Sequence, residues 1–551
     1  MSLHNPCKSL RQISLEKLQV IFNQGIQNSS VMSFSEVEGI LRVESRHKQI
    51  LLLTDRHIKQ MRDFLLGQLP CDVINDLVEF LSVWLTDYID EKTIHKMIGR
   101  SDIECPNCHN IVVATRFSRL FLDSRVKKLD LDFLGDILKR ELVKGIDKCL
   151  GKKVLNLSHL QLPISIEHLN KSLKSNMKSL RFLKIDFLIQ NSTLAAIGSS
   201  CPLLEHIELD QCFSVNNKGL SKVVKGCKNL KTLLFGSPPA ISSQGFADAL
   251  LSLPKLERIG RSCISLISIL RLVSEKYPKK VLKLKFFENA CKEVIGQDDS
   301  FMELVSRMCP ELRHVSLQVY CPDLSSLSKL RNLQSLRLKG IIKGAHHQQL
   351  TSLLSKIGHQ LTTIELRKTS DLSIADVKTI GLLCPNLDTL ILHECSINEN
   401  SVVPFQTVKN NFLNLRVIYF SPTKSASNCP VEMLTFILKS AVTIEEVYVE
   451  ECYQLTDEHL ISVLESGGLQ LLRKFQVSCF GHYPTYNNLS LVSVHALTQL
   501  CTNLVDIGNL YKWNVNPKVI SDLVRIIKDK NLKIKFSTES LKKFHDHYFY
   551  F

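Results

Sequence analysis

The chain has 551 residues, 44% hydrophobic and 22% charged, with a mean hydropathy of +0.03; it can bury a large core and lacks the composition of a disordered chain. Sixty-nine Lys+Arg against 54 Asp+Glu leave a net charge of +15, an excess that favours solubility and acidic partners without specifying nucleic acid. The 18 cysteines are spread along a chain whose first 14 residues carry no apolar signal core, so reduced thiols in the cytoplasm or nucleus are expected, and no apolar stretch reaches the ~18 residues of a membrane span.

Residues 1–120 read as helical and carry two short patterns. Leu10, Ser14 and Leu18 fall at i, i+4 and i+8, so a leucine, a small residue and a leucine form a narrow apolar ridge suited to a partner's groove. The ridge resembles the box by which ubiquitin-ligase receptors hold the elongin B/C adaptor, with Ser14 where that family more often has Cys. Further on, Leu69 and Pro70 open a helix, Pro70 suiting its first turn, with an apolar stripe of Val73, Leu77, Phe80 and Leu81. This segment resembles both the opening of an F-box, which binds Skp1, and the Leu-Pro segment that contacts a cullin downstream of an elongin box.

These resemblances assign adaptor binding to Leu10, Ser14, Leu18, Leu69, Pro70, Ile74, Leu77 and Leu81, with elongin B/C or Skp1 as adaptor and a cullin behind it. An F-box would continue with a basic-aromatic stretch about one helix later, whereas residues 114–120 come late; the elongin reading uses both patterns and is preferred. The alternative is a plain N-terminal cap on the repeats that follow, and cap and adaptor site can coexist. Cys105 and Cys108 have the spacing of two zinc ligands, but no second Cys-x-x-Cys follows, so a loop is expected and no metal.

From about residue 120 onward Leu-x-x-Leu-x-Leu recurs. Clear copies start at Leu180, Leu204, Leu230, Leu312, Leu333, Leu361, Leu387, Leu415, Ile444 and Leu472, the last five being 26, 28, 29 and 28 residues apart, within the leucine-rich range of about 20 to 29. Weaker units are read at residues 126–131, 154–157, 256–259 and 281–284. Each unit predicts a short strand with alternate side chains inward, then a helix, as in residues 243–251 and 457–464, covering the same core. One repeat cannot bury itself, so the array folds as a stack. Cys201, Cys227, Cys309, Cys384 and Cys501 precede strands while Cys212, Cys395 and Cys452 follow them, positions that suit small buried apolar residues.

With residues 384–387 and 453–460 as its clearest copies, the array resembles the cysteine-containing, ribonuclease-inhibitor-like leucine-rich repeats. That resemblance implies an α/β leucine-rich-repeat solenoid, or horseshoe, over residues 121–551, behind a helical adaptor-binding or capping segment at 1–120. The subtype is common among substrate receptors of ubiquitin ligases. The x positions of the strands, among them Glu208, Asp210, Arg337, Lys339, Glu365, Arg367, Tyr448 and Glu450, are expected on an exposed concave face, where their mixed charge suits a protein target. His346 and His347 are expected as a solvated pair at a repeat turn.

No phosphate-cradling glycine loop, zinc-protease motif or nucleophile elbow is present in the sequence, so a non-catalytic protein without cofactor is expected. Lysines at 528–543 and the aromatics Phe544, Tyr548, Phe549 and Phe551 are expected to cap the last repeat rather than hold nucleic acid. The function expected is target recognition for a cullin-RING ubiquitin ligase, with a plain interaction scaffold or inhibitor as the alternative.

Overall fold

The computed structural model describes residues 177–260 without 237, then 265–289, 301–318, 324–340, 345–396, 411–423, 431–478 and 487–508, together with 126–130, 157–162, 513–516 and isolated positions elsewhere. Leu10, Ser14, Leu18, Leu69, Pro70, Leu77 and Leu81, the pair Cys105 and Cys108, and Phe544, Tyr548, Phe549 and Phe551 lie outside the described residues. The chain divides into two compact units between residues 263 and 264.

In the first unit, strands β1 (Lys128–Asp130), β2 (His159–Leu162), β3 (Phe182–Ile185), β4 (His206–Leu209), β5 (Thr232–Phe235) and β6 (Arg258–Ile259) form one parallel sheet in chain order. Helices α1 (Asn191–Ser200), α2 (Asn217–Gly226) and α3 (Ser243–Ser252) connect its later strands. Numbering each strand from its first residue, positions 2 and 4 face the core: Leu183 stands beside Ile207 and Ile207 beside Leu233, with Ile185, Leu209 and Phe235 in the next row, all fully buried. Each such side chain gains about 1.5–3 kcal/mol on burial.

In the second unit, β7 (Phe286–Asn289), β8 (His314–Gln318), β9 (Ser335–Lys339), β10 (Thr363–Arg367), β11 (Thr389–Cys395), β12 (Val417–Pro422), β13 (Glu446–Glu450), β14 (Lys474–Ser478) and β16 (Asp506–Gly508) form a nine-stranded parallel sheet. Its helices are α4 (Leu266–Lys276), α5 (Phe301–Met308), α6 (Ala345–Ile357), α7 (Ile374–Leu383), α8 (Val431–Ser440), α9 (Asp457–Glu465) and α10 (Leu491–Leu500); β15 (Asn487–Ser490) pairs separately with β17 (Trp513–Asn514). The fold is therefore α/β, built of parallel strand–helix repeats. Among the described residues no helix is long and apolar enough to cross a membrane.

Two weak repeats sit later in the chain than the sequence suggests. The strand expected at 154–157 is β2, which aligns Leu160 between Leu129 and Leu183, and the one expected at 281–284 is β7, with Leu284 and Phe287 buried. In both places an apolar pair just upstream imitates the repeat, and alignment with the neighbouring strand decides the register. The break between the two sheets falls in the same weakly patterned stretch, between β6 and β7.

The thiols behave as the repeat requires. All eight described cysteines are free and buried; burial pushes Cys227, Cys309, Cys384 and Cys501 up to about 12, and burial with Cys227 nearby does the same to Cys201, which makes them poor nucleophiles. The asparagine of Cys-x-Asn-Leu ties neighbouring repeats together. Asn229 Nδ2 donates to the Pro202 carbonyl at 3.2 Å and Asn386 Nδ2 to that of His359 at 2.7 Å, each one repeat back. At the helix starts Asn191, Asn217 and Asp457 accept from the backbone N–H of Asn216, Ser242 and Ser490, the N-cap residues of the next helices.

Helices α1 and α2 approach backbone to backbone. A β-carbon on Gly198 would lie 2.3 Å from the Lys222 carbonyl oxygen, and one on Gly226 only 1.6 Å from that of Gly198. Neither neighbour is a flexible side-chain end, so Gly226→Ala must push the two helices apart; chemical denaturation should show a loss of about 2 kcal/mol or more. A change below about 0.5 kcal/mol would mean that the close approach is not needed.

Candidate interaction surface

In two runs of neighbouring strands the residue just before each strand carries charge of alternating sign. Arg181, Glu205 and Lys231 form one run, with Glu205 bonded to Arg181 and 2.6 Å from Lys231; these hydrogen bonds, Lys231 first, hold its carboxyl below the usual range. Asp388, Arg416, Glu445 and Arg473 form the other, at 3.5, 2.8 and 3.6 Å. The same residues are joined through their main chains, Glu205 N to Arg181 O at 2.8 Å and Glu445 N to Arg416 O at 2.8 Å. Largely exposed pairs of this kind add about 0–1 kcal/mol each. The signal was present in the sequence as a charge alternating once per repeat.

Odd strand positions form the face turned away from the buried leucines, and from β2 to β4 that face is open, whereas Leu234 on β5 is buried. His159 is exposed, and Gln161, Phe182, Lys184, His206 and Glu208 are half-buried; Asp210, one residue past β4, is half-buried too. Glu208 and Asp210 thus lie where the sequence placed them. Their row neighbours make a ring ladder that the sequence pattern did not reveal: His159 stacks on Phe182 at 5.8 Å between centroids and Phe182 meets His206 at 6.2 Å. Parallel register places these three side by side.

In the second unit the corresponding face is closed from β10 to β14. Arg337 and Lys339 on β9 and Arg367 on β10 are half-buried, but Glu365 is 2% exposed, Tyr448 6% and Glu450 3%. This corrects the expectation that these last three are surface contacts. Glu365 is held between the guanidinium groups of Arg337 and Arg367, while Glu450 accepts from Tyr419 and Tyr448 donates to Glu446 at 2.6 Å. Burial lowers the Arg367 pKa and raises that of Tyr419, which also faces the Glu450 carboxylate. Ile391, Val417, Tyr419 and Tyr448 pack as one buried cluster in the midst. Bulky side chains on strands about 4.8 Å apart shield one another, and the charged groups there bond among themselves.

At the N-terminal side Ile74, expected to contact an adaptor, is fully buried and lies in a helical turn with Val78. Its neighbour Asn75 accepts the Lys127 N–H at 2.8 Å, just ahead of β1. Ile74 is therefore part of the chain's own core, not a free contact.

His347 also departs from the expected solvated pair at a turn. It lies on α6 with Nδ1 3.1 Å from Asp376, whose carboxylate also accepts from Ser373 N and Oγ in the capping box of α7. A cavity of about 10 Å³ beside them is lined by Leu350, Leu354, Thr369 and Ile380, room for about one water. The Asp376 hydrogen bond raises the His347 pKa despite burial; against the upward push of burial, bonds from His347 and Ser373 hold Asp376 below its usual value.

These buried charges make stability depend on pH and on partner removal. His347 contributes stability that is complete below its unfolded pKa of 6.5 and is lost as pH rises through the higher folded value, whereas Asp376 contributes above 3.8 and loses its share on further acidification. The stability gap between the wild type and His347→Gln should therefore be widest just below pH 6.5 and narrow as pH rises through the higher folded value; a gap independent of pH in melting experiments would contradict the ion pair. Glu365→Ala leaves two guanidinium groups facing each other and should cost about 3 kcal/mol in urea unfolding; a loss under about 1 kcal/mol would show that the clamp is dispensable.

No family model matches the sequence. Among solved structures, the crystal structure of the Rad7 and Elc1 complex in yeast aligns with 93% of this chain and 96% of that chain, at a TM-score of 0.34 and 14% sequence identity.

Proposed function

We propose that the chain is the non-catalytic substrate-recognition subunit of a cullin-RING ubiquitin ligase, a leucine-rich-repeat solenoid that binds its target on a strand face and an adaptor through its N-terminal helices. The carrying observation is the open strand face of β2 to β4, a surface of mixed charge and rings at residues 159–210, the kind of surface on which a few anchors hold a protein partner. The adaptor part rests on the two sequence patterns at 10–18 and 69–81. The work of such a subunit is proximity: it raises the effective concentration of a target lysine near a ubiquitin-charged enzyme supplied by other subunits. No residue of this chain needs to be catalytic, and the compartment proposed is the cytoplasm or nucleus.

One observation favours a second reading. Ile74 is buried and Asn75 ties its turn to the edge of β1, as expected of a cap that closes the first repeat. On that reading the chain is a scaffold or inhibitor with no ligase partner.

Co-purification of the full chain separates the two. Wild type is expected to bring down elongin B/C; Leu10→Asp, which places a charge in the proposed ridge, should lose it, and Pro70→Ala should weaken cullin without releasing elongin. Skp1 binding that ignores Leu10→Asp would assign the F-box alternative. Neither adaptor with the wild type would overturn the ligase reading.

A further inference from the structure

The two strand faces differ in what they leave for a partner. From β10 to β14, Glu365, Tyr448 and Glu450 are almost fully buried, and a partner would have to break their hydrogen bonds before gaining its own. Across β2 to β4 the odd positions remain at least half-exposed and are held in parallel register.

The ring ladder on that open face has a defined chemistry. Ser158 Oγ donates to the Lys127 carbonyl at 3.1 Å and lies 2.9 Å from His159 Nδ1. With the hydroxyl proton committed to Lys127, Nδ1–H donates to Ser158 and Nε2 of His159 becomes the acceptor. Partial desolvation, with Lys128 beside it, lowers the pKa of the largely exposed His159, and burial lowers that of His206, which favours the neutral ring whose Nε2 accepts.

Charge grades across the same face. At the strand starts Lys128, Arg181 and Lys231 outnumber Glu205, which pairs with the last two, while Asp186, 3.6 Å from Lys184, and Asp210 stand just past the ends of β3 and β4. A polyanion would meet those carboxylates along its length, which disfavours nucleic acid. A segment with a carboxylate at one end and a cation at the other meets a matching charge at both edges.

We infer that the His159–Phe182–His206 ladder is the anchor site for a protein segment carrying a Trp or Tyr, whose ring packs on the ladder and whose N–H or O–H donates to His159 Nε2, with an acidic residue toward Lys128 and Arg181 and a basic one toward Asp186 and Asp210. Aromatic anchors with one polar hydrogen are the side chains that gain most at such sites. The inference names the class of target and therefore rests on the target-binding part of the proposed function, but not on its adaptor part.

Selection of a bead-displayed library of peptides of about 12 residues on the full-length chain tests it, with anisotropy titration of the enriched peptides. Trp or Tyr should be enriched at one position, with Asp or Glu on one side and Lys or Arg on the other. Phe182→Ala should weaken an enriched peptide about tenfold or more. His206→Phe, which keeps a ring, should stay within about twofold, and His159→Phe, which removes the acceptor, should abolish the preference for Trp or Tyr over Phe at that position. Melting curves matching the wild type would confirm that each variant is folded. Absence of Trp/Tyr enrichment, indifference to Phe182→Ala in a folded variant, or displacement of the peptides by a single-stranded oligonucleotide would overturn the assignment. Elongin co-purification with no aromatic enrichment sinks only the anchor site; aromatic peptides without any adaptor sink only the ligase reading.

Discussion

Everything in this fold depends on the parallel register between one strand and the next. A repeat contributes a few inward residues, such as Leu183 and Ile185, and has no second layer of its own to close over them. Burial is completed only when Ile207 and Leu209 arrive in register on one side and Leu160 and Leu162 on the other. The hydrophobic term thus favours stacking, and the main-chain ladder fixes the alignment at which stacking occurs. A slip of one residue would turn the leucines outward in every later strand that followed it.

That register has a second consequence: any residue faces its counterpart one repeat away, at the strand spacing of about 4.8 Å. Opposite charges in such a row attract and rings can stack, as in Arg181–Glu205–Lys231 and in His159–Phe182–His206, whereas Lys339 and Arg367 are like charges in register, and Arg367 donates to the carboxylate of Glu365. The backbone turns that end the strands repeat as well. The sixth position adopts a left-handed conformation at Gln211, Gly340, Lys368, Glu394 and Glu451; only one of the five is glycine, so four non-glycine residues accept strain of order 1 kcal/mol to make the same corner. At two neighbouring corners the cost is partly offset, since Lys368 and Glu394 lie 3.1 Å apart.

The repeat period was legible because it is carried by inward leucines, whose environment is the same in every unit. Glu208 and Asp210 were legible for the same reason: position along a strand is enough to place them. Glu365, Tyr448 and Glu450 were not, because their burial depends on what the adjacent strands carry in the same row, the arginines beside Glu365 and the tyrosines at 419 and 448. The ladder of His159 and its neighbours could have been found by aligning the repeats on β2 rather than on the apolar pair at 154–157; the misplaced register hid it. His347 and Asp376 stand 29 residues apart, one repeat, and the same alignment brings them together.

The closed face from β10 to β14 depends on strand length together with what adjacent strands carry in the same row. β2 to β5 have four residues each, so only positions 1 and 3 of the outward face lie within a strand, whereas β9, β10, β13 and β14 have five and add a third outward row. A third row lets groups bond diagonally across rows: Arg367 at position 5 reaches Glu365 at position 3, and Tyr419 at position 3 reaches Glu450 at position 5. Once made, those bonds satisfy the charges that a partner would otherwise use, and breaking one leaves a buried ion exposed to a large penalty. On the shorter strands the fifth residue lies past the strand end, where Asp186 stands 3.6 Å from Lys184, and the rings of His159, Phe182 and His206 remain at least half-exposed. A fifth residue alone does not close a face, since β9 has five and its Ser335, Arg337 and Lys339 stay half-exposed; the face closes where Ile391, Val417, Tyr419 and Tyr448 fill adjacent rows and the charged groups around them find partners at position 5.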